Sequence, residues 1–279
     1  MTEGATWRSL LDEAAAELDD RTEARRIVEQ ASGYFGAELV TALDNRATTR
    51  TLTHVESMVR RRRAGEPLQY VLGEWGFRTL DVHVDQRVLI PRPETEIVVE
   101  RALEMIDSLE AQTVVELGTG SGVIALSIAV ERTAVNVWAT DASSDALDVA
   151  RANLAGIGRP GARVRLVQGH WFDALPTELR GHIGVVVANP PYVAASEMLP
   201  PEVAEWEPRD ALVAGPTGLE AIEHIIASAP AWLHHRGALV LEIGETQADE
   251  ATELAVTRFS GVEVHADLAG RPRVLVARR

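Results

Sequence analysis

From residue 113 onward, apolar runs alternate with amphipathic segments, and this alternation constrains the fold more than any other feature of the chain. Seven runs have the length and composition of β-strands: TVVEL, VNVWAT, RVRLVQ, IGVVVA, ALVLEI, VEVHAD and RVLVA. The first five are almost continuously apolar, as expected for strands buried on both faces of a sheet. Helical periodicity over 144–154 and 219–233 separates several of them. The pattern predicts a mostly parallel α/β sheet covered by helices.

The connection between the sixth and seventh runs departs from this pattern. Only residues 268–272 join them, which is too short for a parallel crossover, so we expect the seventh strand to be antiparallel. A seven-stranded, mostly parallel sheet with one antiparallel last strand is similar to that of Rossmann-like methyltransferases and differs from that of dinucleotide dehydrogenases. We therefore predict an α/β, Rossmann-like methyltransferase fold.

The first 70 or so residues show helical periodicity instead. Apolar residues recur at helical spacing in two segments: Trp7, Leu10, Leu11, Ala14 and Leu18, then Ala24, Ile27, Val28 and Ala31. A further helix is expected to open with a capping box of Thr53 and Glu56 and to end at Gly65 and Pro67. No residue of this region suggests catalysis. We predict a small all-α domain over 1–73, a hairpin linker over 74–92, and a catalytic domain over 93–279 that begins with a helix at Pro93.

The composition excludes several kinds of site. The chain contains neither lysine nor cysteine, so it cannot use a catalytic lysine, a thiol nucleophile, cysteine-bound zinc, an iron–sulfur cluster or a disulfide. His234 and His235 are adjacent, which on a helix would point them apart, and we expect no metal site. We see no signal peptide or membrane span, and we expect a cytoplasmic monomer.

Charge is distributed unevenly along the chain. Of the net charge of −15, residues 1–80 carry 11 Arg against 13 acidic residues, or −2, and the remaining 199 residues carry −13. Such an acidic body repels free nucleic acid unless one face is basic. The one basic cluster, Arg60, Arg61, Arg62 and Arg63, is either a solvated helix end or a phosphate-binding patch.

Candidate ligand-binding residues follow the first three strands of the catalytic domain. The first strand ends in ELGTGSG, whose G-x-G-x-G spacing favours close approach of a nucleoside with an amino-acid tail over a pyrophosphate. Asp141 ends the second strand, where a carboxylate can accept both ribose hydroxyls or simply cap a helix. After the third strand, Trp171 or Phe172 either covers an adenine or belongs to the core.

The fourth strand ends in the strongest signal, NPPY, residues 189–192. Two prolines make a rigid turn without backbone donors. The Asn189 side-chain oxygen and the Pro190 carbonyl are left as acceptors, and Tyr192 supplies an aromatic face. Two acceptors and a ring suit a planar NH₂ group next to a carbonyl or a heteroaromatic ring. Accepting both hydrogens orients that nitrogen and favours the charge that develops on it during alkylation.

These motifs carry a family resemblance. ELGTGSG with NPPY resembles S-adenosylmethionine-dependent methyltransferases that act on planar nitrogens, including adenine and guanine methyltransferases of nucleic acids. Further motifs narrow this resemblance to one family: PLQYVLG, IPRPETE, EPRDAL with GPTGL, LEIG and DLAGRPR. Over nearly its whole length the chain resembles the bacterial release-factor glutamine methyltransferases.

The resemblance implies transfer of a methyl group from S-adenosylmethionine, leaving S-adenosylhomocysteine, to the Gly-Gly-Gln glutamine of class I peptide-chain release factors. The implied substrate and catalytic residues are Asn189, Pro190, Pro191 and Tyr192. The implied cofactor residues are Glu116, Gly118, Thr119, Gly120, Ser121, Gly122, Asp141, Trp171, Phe172 and Asn189. The helical domain would dock the release factor.

One departure from the family pattern concerns the adenine contact. An aspartate usually follows the glycine after the third strand, whereas here His170 does, so Asp173 substitutes or the contact is absent. Two other hypotheses are a nucleic-acid amino-group methyltransferase, which 60–63 would support, and a non-catalytic cofactor-binding adaptor, which the intact Asn189 and Tyr192 disfavour.

Overall fold

A computed structural model describes residues 4–279. The chain forms two compact units: the first comprises residues up to Glu74 together with Pro201–Trp206, and the second comprises Trp75–Pro200 and Glu207–Arg279. The grouping of Pro201–Trp206 with the first unit was not predicted from the sequence, which placed these residues in the catalytic domain. No helix among residues 4–279 is long and apolar enough to cross a membrane.

The described part of the chain begins with five helices, and helices and strands then alternate along the second unit. In chain order they are α1 (Trp7–Leu18), α2 (Arg21–Ser32), α3 (Ala37–Ala42), α4 (Thr49–Arg63), α5 (Leu68–Leu72), β1 (Glu74–Phe77), β2 (Leu80–His83), α6 (Pro93–Leu109), β3 (Thr113–Leu117), α7 (Val123–Glu131), β4 (Asn136–Asp141), α8 (Ser144–Gly156), β5 (Val164–Gln168), β6 (Ile183–Ala188), β7 (Val193–Ala194), α9 (Pro201–Trp206), β8 (Val213–Gly215), α10 (Glu220–Trp232), β9 (Leu233–Glu242), α11 (Ala248–Val256), β10 (Gly261–Ala266) and β11 (Pro272–Arg278). Single 3₁₀ turns occur at Arg159–Arg163, Trp171–Ala174, Thr177–Leu179 and Arg209–Ala211.

The first unit is built on apolar faces that the sequence periodicity predicted. Leu10 of α1, Ile27 of α2 and Val55 of α4 are fully buried and belong to one core. The prediction for the start of α4 was wrong. The helix begins at Thr49 with Thr48 as its cap, whose hydroxyl accepts a hydrogen bond from the Thr51 N–H. Thr53 lies inside the helix and its hydroxyl donates back to the Thr49 carbonyl, whereas the earlier Thr48 satisfies one of the free N–H groups at the helix start.

The arginines that end α4 are engaged in ion pairs within the first unit. The Arg61 guanidinium donates to Glu66 at 2.8 Å and to the Tyr70 carbonyl at 2.8 Å. Arg62 is only 21% exposed and joins Glu23 of α2, at 2.7 Å, to Glu202 of α9, at 2.8 Å.

Arg63 in turn contacts Glu17, at 3.1 Å. Three of the four arginines therefore form ion pairs or hydrogen bonds with other segments of this unit, although Arg60, Arg61 and Arg63 are exposed at the helix end.

The second unit contains the seven-stranded sheet. Its strand order is β10-β11-β9-β6-β3-β4-β5, and all neighbouring strands are parallel except β11, which is antiparallel to both β9 and β10. The seven strands coincide with the seven apolar runs, and the antiparallel direction of the last strand confirms the prediction from the short connection. The order reverses between β3 and β6, and ligands in open α/β sheets bind at such a switch point, beyond the carboxyl ends of the strands.

Two smaller features support that edge of the sheet. β1 and β2 form a two-stranded sheet, as the predicted hairpin requires. Asn153 of α8 accepts a hydrogen bond from the His83 N–H at 2.7 Å and donates to the carbonyls of His83 and Ser121 at 3.0 and 2.8 Å. One buried amide thus ties the hairpin to the glycine loop that follows β3.

Candidate active site

A cavity of about 720 Å³ lies in the second unit at the carboxyl ends of β3, β4, β5 and β6. This volume is in the range of small-molecule sites. Seven of the predicted site residues line it: Gly118, Gly120, Ser121, Asp141, Trp171, Asn189 and Pro191. The structure therefore brings together the ends of four strands that are far apart in sequence.

The loop after β3 needs its glycines. Gly118, Gly120 and Gly122 have φ angles of 72°, 54° and 89°, which residues with a Cβ rarely adopt. A Cβ on Gly118 would also lie 3.3 Å from the ring of Trp171. The Gly118 and Thr119 N–H groups both donate to the Thr140 carbonyl at 2.9 Å. The loop is therefore held against β4, and its glycines let a ligand approach the backbone.

Glu116 lies beneath this loop and does not line the cavity. Its carboxyl accepts hydrogen bonds from the Thr119 hydroxyl at 2.6 Å and the Ala125 N–H at 3.0 Å. The side chain is almost fully buried, and burial raises its pKa to about 8. Thr119, which is also buried, and Gly122 are likewise absent from the cavity wall. These three residues shape the loop from below.

Asp141 ends β4 and faces the cavity. Its two carboxylate oxygens accept hydrogen bonds from the Gly120 N–H at 2.8 Å and the Ser143 N–H at 2.9 Å. Burial raises its pKa above the usual value, and the backbone N–H groups oppose that effect. Each oxygen keeps a lone pair for a ligand hydroxyl, so Asp141 fixes the glycine loop and remains an acceptor.

The two aromatic candidates after β5 have different locations. Trp171 lines the cavity beside His170 and His224 and has a left-handed φ of 47°, a strained conformation for a non-glycine residue. Phe172 instead packs on Trp232 in the core, with ring centroids 5.7 Å apart and planes at 15°. Phe172 is therefore not placed to cover a ligand in the cavity.

The missing aspartate is not replaced by its neighbour. Asp173 is exposed and does not line the cavity. His170, which stands at the usual aspartate position, does line it, and its ring lies 6.1 Å from that of His224. Imidazole nitrogens therefore stand where a carboxylate was expected.

The NPPY segment presents Asn189 and Pro191 to the cavity, whereas Pro190 is buried and Tyr192 is half-buried outside the lining. Burial and the nearby Glu242 raise the pKa of Tyr192 to about 12, so its phenol stays neutral. The Tyr192 carbonyl accepts a hydrogen bond from Gln247 at 3.0 Å.

The Asn189 amide nitrogen donates to the Thr95 hydroxyl at 3.1 Å, and the Thr95 hydroxyl donates to Glu242 at 2.7 Å. The Asn189 side-chain oxygen is then left for a ligand.

Several residues near the cavity belong to motifs for which the sequence analysis predicted no individual residue role. Thr95 lies in IPRPETE, Glu242 in LEIG, and Glu207 in EPRDAL. Glu207 is buried, pairs with Arg92, and accepts a hydrogen bond from the Ile90 N–H at 3.1 Å. Sequence spacing could not pair these motifs, since the partners are more than 90 residues apart.

Among residues 4–279, no group of three or more His, Asp or Glu side chains is arranged to hold a metal ion. His234 and His235 lie at the start of β9 and not on a helix.

Comparisons with known proteins agree with this arrangement. Residues 5–73 match the family described as the PrmC N-terminal domain, and residues 95–204 match the Methyltransferase small domain family. The chain is 42% identical to the release factor glutamine methyltransferase of Burkholderia pseudomallei (strain K96243), covering 91% of this chain and 90% of the relative. It is 39% identical to the enzyme of the same name from Moorella thermoacetica (strain ATCC 39073 / JCM 9320), covering 98% and 99%.

Solved structures show the same fold. The hMettl16 catalytic domain, solved with the MAT2A 3′UTR hairpin 6, is 14% identical with a TM-score of 0.55, covering 82% of each chain. At this identity the likeness concerns the fold alone. The identity with full-length relatives is much higher and extends over both units. The chain is a methyltransferase and belongs to the release factor glutamine methyltransferase family.

Proposed function

We propose that the chain transfers a methyl group from S-adenosylmethionine to the side-chain amide nitrogen of the glutamine in the Gly-Gly-Gln motif of class I peptide-chain release factors. The observation that carries this proposal is the fixed Asn189 amide, which turns a hydrogen-bond acceptor toward a cavity that also contains Asp141 and the glycine loop. The names of two relatives support a glutamine of a release factor as the methyl acceptor.

The cavity fits the cofactor. Asp141 offers two partly desolvated carboxylate oxygens for ribose hydroxyls, and charge-assisted bonds of this kind are strong. The left-handed glycines leave room for close approach to the backbone, and Trp171 gives an aromatic wall beside them. When bound, S-adenosylmethionine supplies an electrophilic methyl group. We assign its binding to Gly118, Gly120, Ser121, Asp141 and Trp171.

The glutamine amide would lie against NPPY. The Asn189 oxygen accepts one of its hydrogens, and Pro191 forms the wall beside it. Pro190, whose carbonyl was the second predicted acceptor, is buried outside the cavity lining. An amide nitrogen is a poor nucleophile because its lone pair is delocalised into the carbonyl. The Asn189 acceptor orients this nitrogen and stabilises the positive charge that develops on it. Because this stabilisation is larger in the transition state than in the ground state, it accelerates the reaction.

No side chain has to act as a general base in this proposal. A methylated amide that still carries its extra proton is a strong acid and loses that proton to water. Tyr192 remains protonated, because its pKa is about 12. The contribution of the chain is orientation, exclusion of water and placement of acceptors.

The helical unit is proposed to dock the release factor. It contains no cavity-lining residue of the candidate site. Only the small amide group of the glutamine reacts at Asn189, so most of the binding energy should come from remote contacts with the rest of the protein substrate.

A nucleic-acid substrate is less well supported. Its support was the arginine cluster at the end of α4, and three of those arginines are used in ion pairs. The region beyond residue 80, with its charge of −13, gains nothing from phosphate neutralisation.

The proposal is tested by incubating the enzyme with S-adenosylmethionine and a purified class I release factor, then locating methyl groups by mass spectrometry. One methyl group is expected, on the Gly-Gly-Gln glutamine. A release factor with glutamate at that position is the matched control and should stay unmodified, since a carboxylate has no hydrogens to donate to Asn189. Equal labelling of DNA or RNA, or labelling of the glutamate variant at that site, would refute the proposal.

A further inference from the structure

A hydrogen-bonded chain of three side chains leads from the sheet to the cavity. Asn189 donates its amide hydrogen to the Thr95 hydroxyl at 3.1 Å, and Thr95 donates to Glu242 at 2.7 Å. Thr95 is 3% exposed and Glu242 is 1% exposed. Water therefore does not compete for these bonds, and each group depends on its neighbour for a partner.

The direction of this chain follows from counting protons. An ionised carboxylate only accepts, so the single proton of the Thr95 hydroxyl goes to Glu242. The Thr95 oxygen can then only accept from Asn189. The Asn189 amide must turn its NH₂ toward Thr95, and its oxygen is left facing the cavity. The opposite orientation would put two acceptors in contact and a donor at the substrate nitrogen.

We propose that Thr95 and Glu242 are positioning residues that hold the Asn189 amide with its oxygen toward the substrate nitrogen. This inference rests on the proposed function, because it assigns Asn189 the role of acceptor. It gives a role to the threonine of IPRPETE and the glutamate of LEIG, which the sequence motifs left unexplained.

Burial raises the pKa of Glu242 to about 7, and the nearby Glu94 adds to this effect. The Thr95 hydroxyl, Arg273 and Arg92 oppose it, so the carboxyl has the ionised form that this role needs above neutral pH.

Arg273 is itself 3.8 Å from the buried carboxylate of Asp267. Arg273, which lies in β11 and belongs to the DLAGRPR motif, thereby supplies a cation near Glu242. This motif is therefore connected to the relay of Glu242, Thr95 and Asn189.

Thr95 could instead serve only to start α6, where it occupies the third helical position. A threonine in the first turn that stabilised the helix end would bond its hydroxyl to nearby backbone N–H groups. The Thr95 hydroxyl bonds to Glu242, 147 residues away, and to Asn189, 94 residues away. The contacts are therefore those of a residue that serves the cavity.

The test compares isosteric variants. Thr95→Val removes the hydroxyl and should lower kcat on release factor about tenfold, which corresponds to one orienting hydrogen bond, while the cofactor Kd changes less than about twofold. Thr95→Ser keeps the hydroxyl and should retain kcat within about threefold. Ser127→Ala is the matched control: Ser127 is fully buried in α7, outside the cavity lining, and its hydroxyl has no hydrogen-bond partner among the described residues.

A second readout does not depend on the substrate. The chain has four asparagines, so selective ¹⁵N labelling gives few side-chain amide signals, and Asn189→Asp identifies the one from residue 189. That signal should shift in Thr95→Val and Glu242→Leu and stay in place in Ser127→Ala. An unshifted Asn189 signal, or a kcat for Thr95→Val equal to that of Ser127→Ala, would overturn the inference. Failure of wild type to methylate glutamine would refute the proposed function while leaving the amide orientation measurable.

Discussion

Replacing Glu116 with glutamine should make the stability of the second unit much less sensitive to alkaline pH. The Glu116 carboxyl is 1% exposed and accepts hydrogen bonds only from a hydroxyl and a backbone N–H. Burial raises its pKa from 4.5 to about 8, and the nearby Asp141 adds to this effect. A carboxyl whose pKa is higher in the folded state stabilises the protein fully below the unfolded pKa, and this stabilisation is lost as the pH rises through 8.

The size of the effect follows from those two pKa values. Each pKa unit corresponds to about 1.4 kcal/mol, so the full loss between pH 4.5 and alkaline pH is roughly 5 kcal/mol for a change from 4.5 to about 8. Between pH 6 and pH 9 the wild-type enzyme should lose roughly 3 kcal/mol from this group. Glutamine does not titrate, so Glu116→Gln should escape this loss.

Urea unfolding at pH 6, 7.5 and 9, followed by tryptophan fluorescence, measures this difference. The free energy of unfolding of Glu116→Gln relative to wild type should rise by roughly 3 kcal/mol over that range. Glu250→Gln, which alters an exposed carboxyl in α11 of the same unit, should follow wild type. A constant difference between Glu116→Gln and wild type at all three pH values would show that Glu116 does not titrate in this range.

Three further predictions concern the site itself. Asp141→Ala should weaken cofactor binding by ~1–3 kcal/mol in calorimetry, whereas Asp145→Ala in the first turn of α8 should not; equal affinities would remove Asp141 from the site. The same Asp141→Ala change should have a smaller effect on a cofactor analogue without ribose hydroxyls. Asn189→Ala should nearly abolish single-turnover methyl transfer in a folded enzyme, and survival within about threefold, or ~0.7 kcal/mol of barrier, would contradict its role. The kcat of wild type should fall as the pH drops below 7, because burial raises the pKa of Glu242 to about 7 and a protonated Glu242 lets the Thr95 hydroxyl turn toward Asn189. The kcat of Glu242→Gln should not fall in this way below pH 7. An unchanged decrease would show that a group other than Glu242 causes it.

The sequence alone determined the seven strands of the large sheet and the strand ends that form the cavity. Strands buried on both faces, such as β3 and β6, leave continuous apolar runs. The edge strands β5 and β10 are mostly half-buried or exposed, and their length and composition still identified them. A five-residue connection cannot make a parallel crossover, so the direction of β11 was also predictable. The glycine loop, Asp141 and NPPY were found because each follows a strand directly, and parallel strands end at one edge of the sheet.

The local sequence pattern predicted a wrong start for α4. It also gave Trp171 and Phe172 the same candidate role, whereas the structure places them differently. Thr53 and Glu56 have the spacing of a capping box, but Thr48 caps the helix, and nothing in the spacing distinguishes the two. Trp171 and Phe172 are adjacent, yet one lines the cavity and the other stacks on Trp232. Adjacent residues in a turn point in different directions, which the backbone angles decide.

Only the tertiary structure decided what holds the site in place. The relay from Glu242 through Thr95 to Asn189 joins three motifs. Thr95 is 94 residues from Asn189 and 147 residues from Glu242 in sequence. Likewise Arg62 joins α4 to α2 and α9, across 39 and 140 residues. Periodicity reports which face of a segment is buried, but not what it is buried against. Hydrogen bonds between distant segments depend on that choice of partner, because a buried polar group needs one specific neighbour, whereas an apolar side chain accepts many.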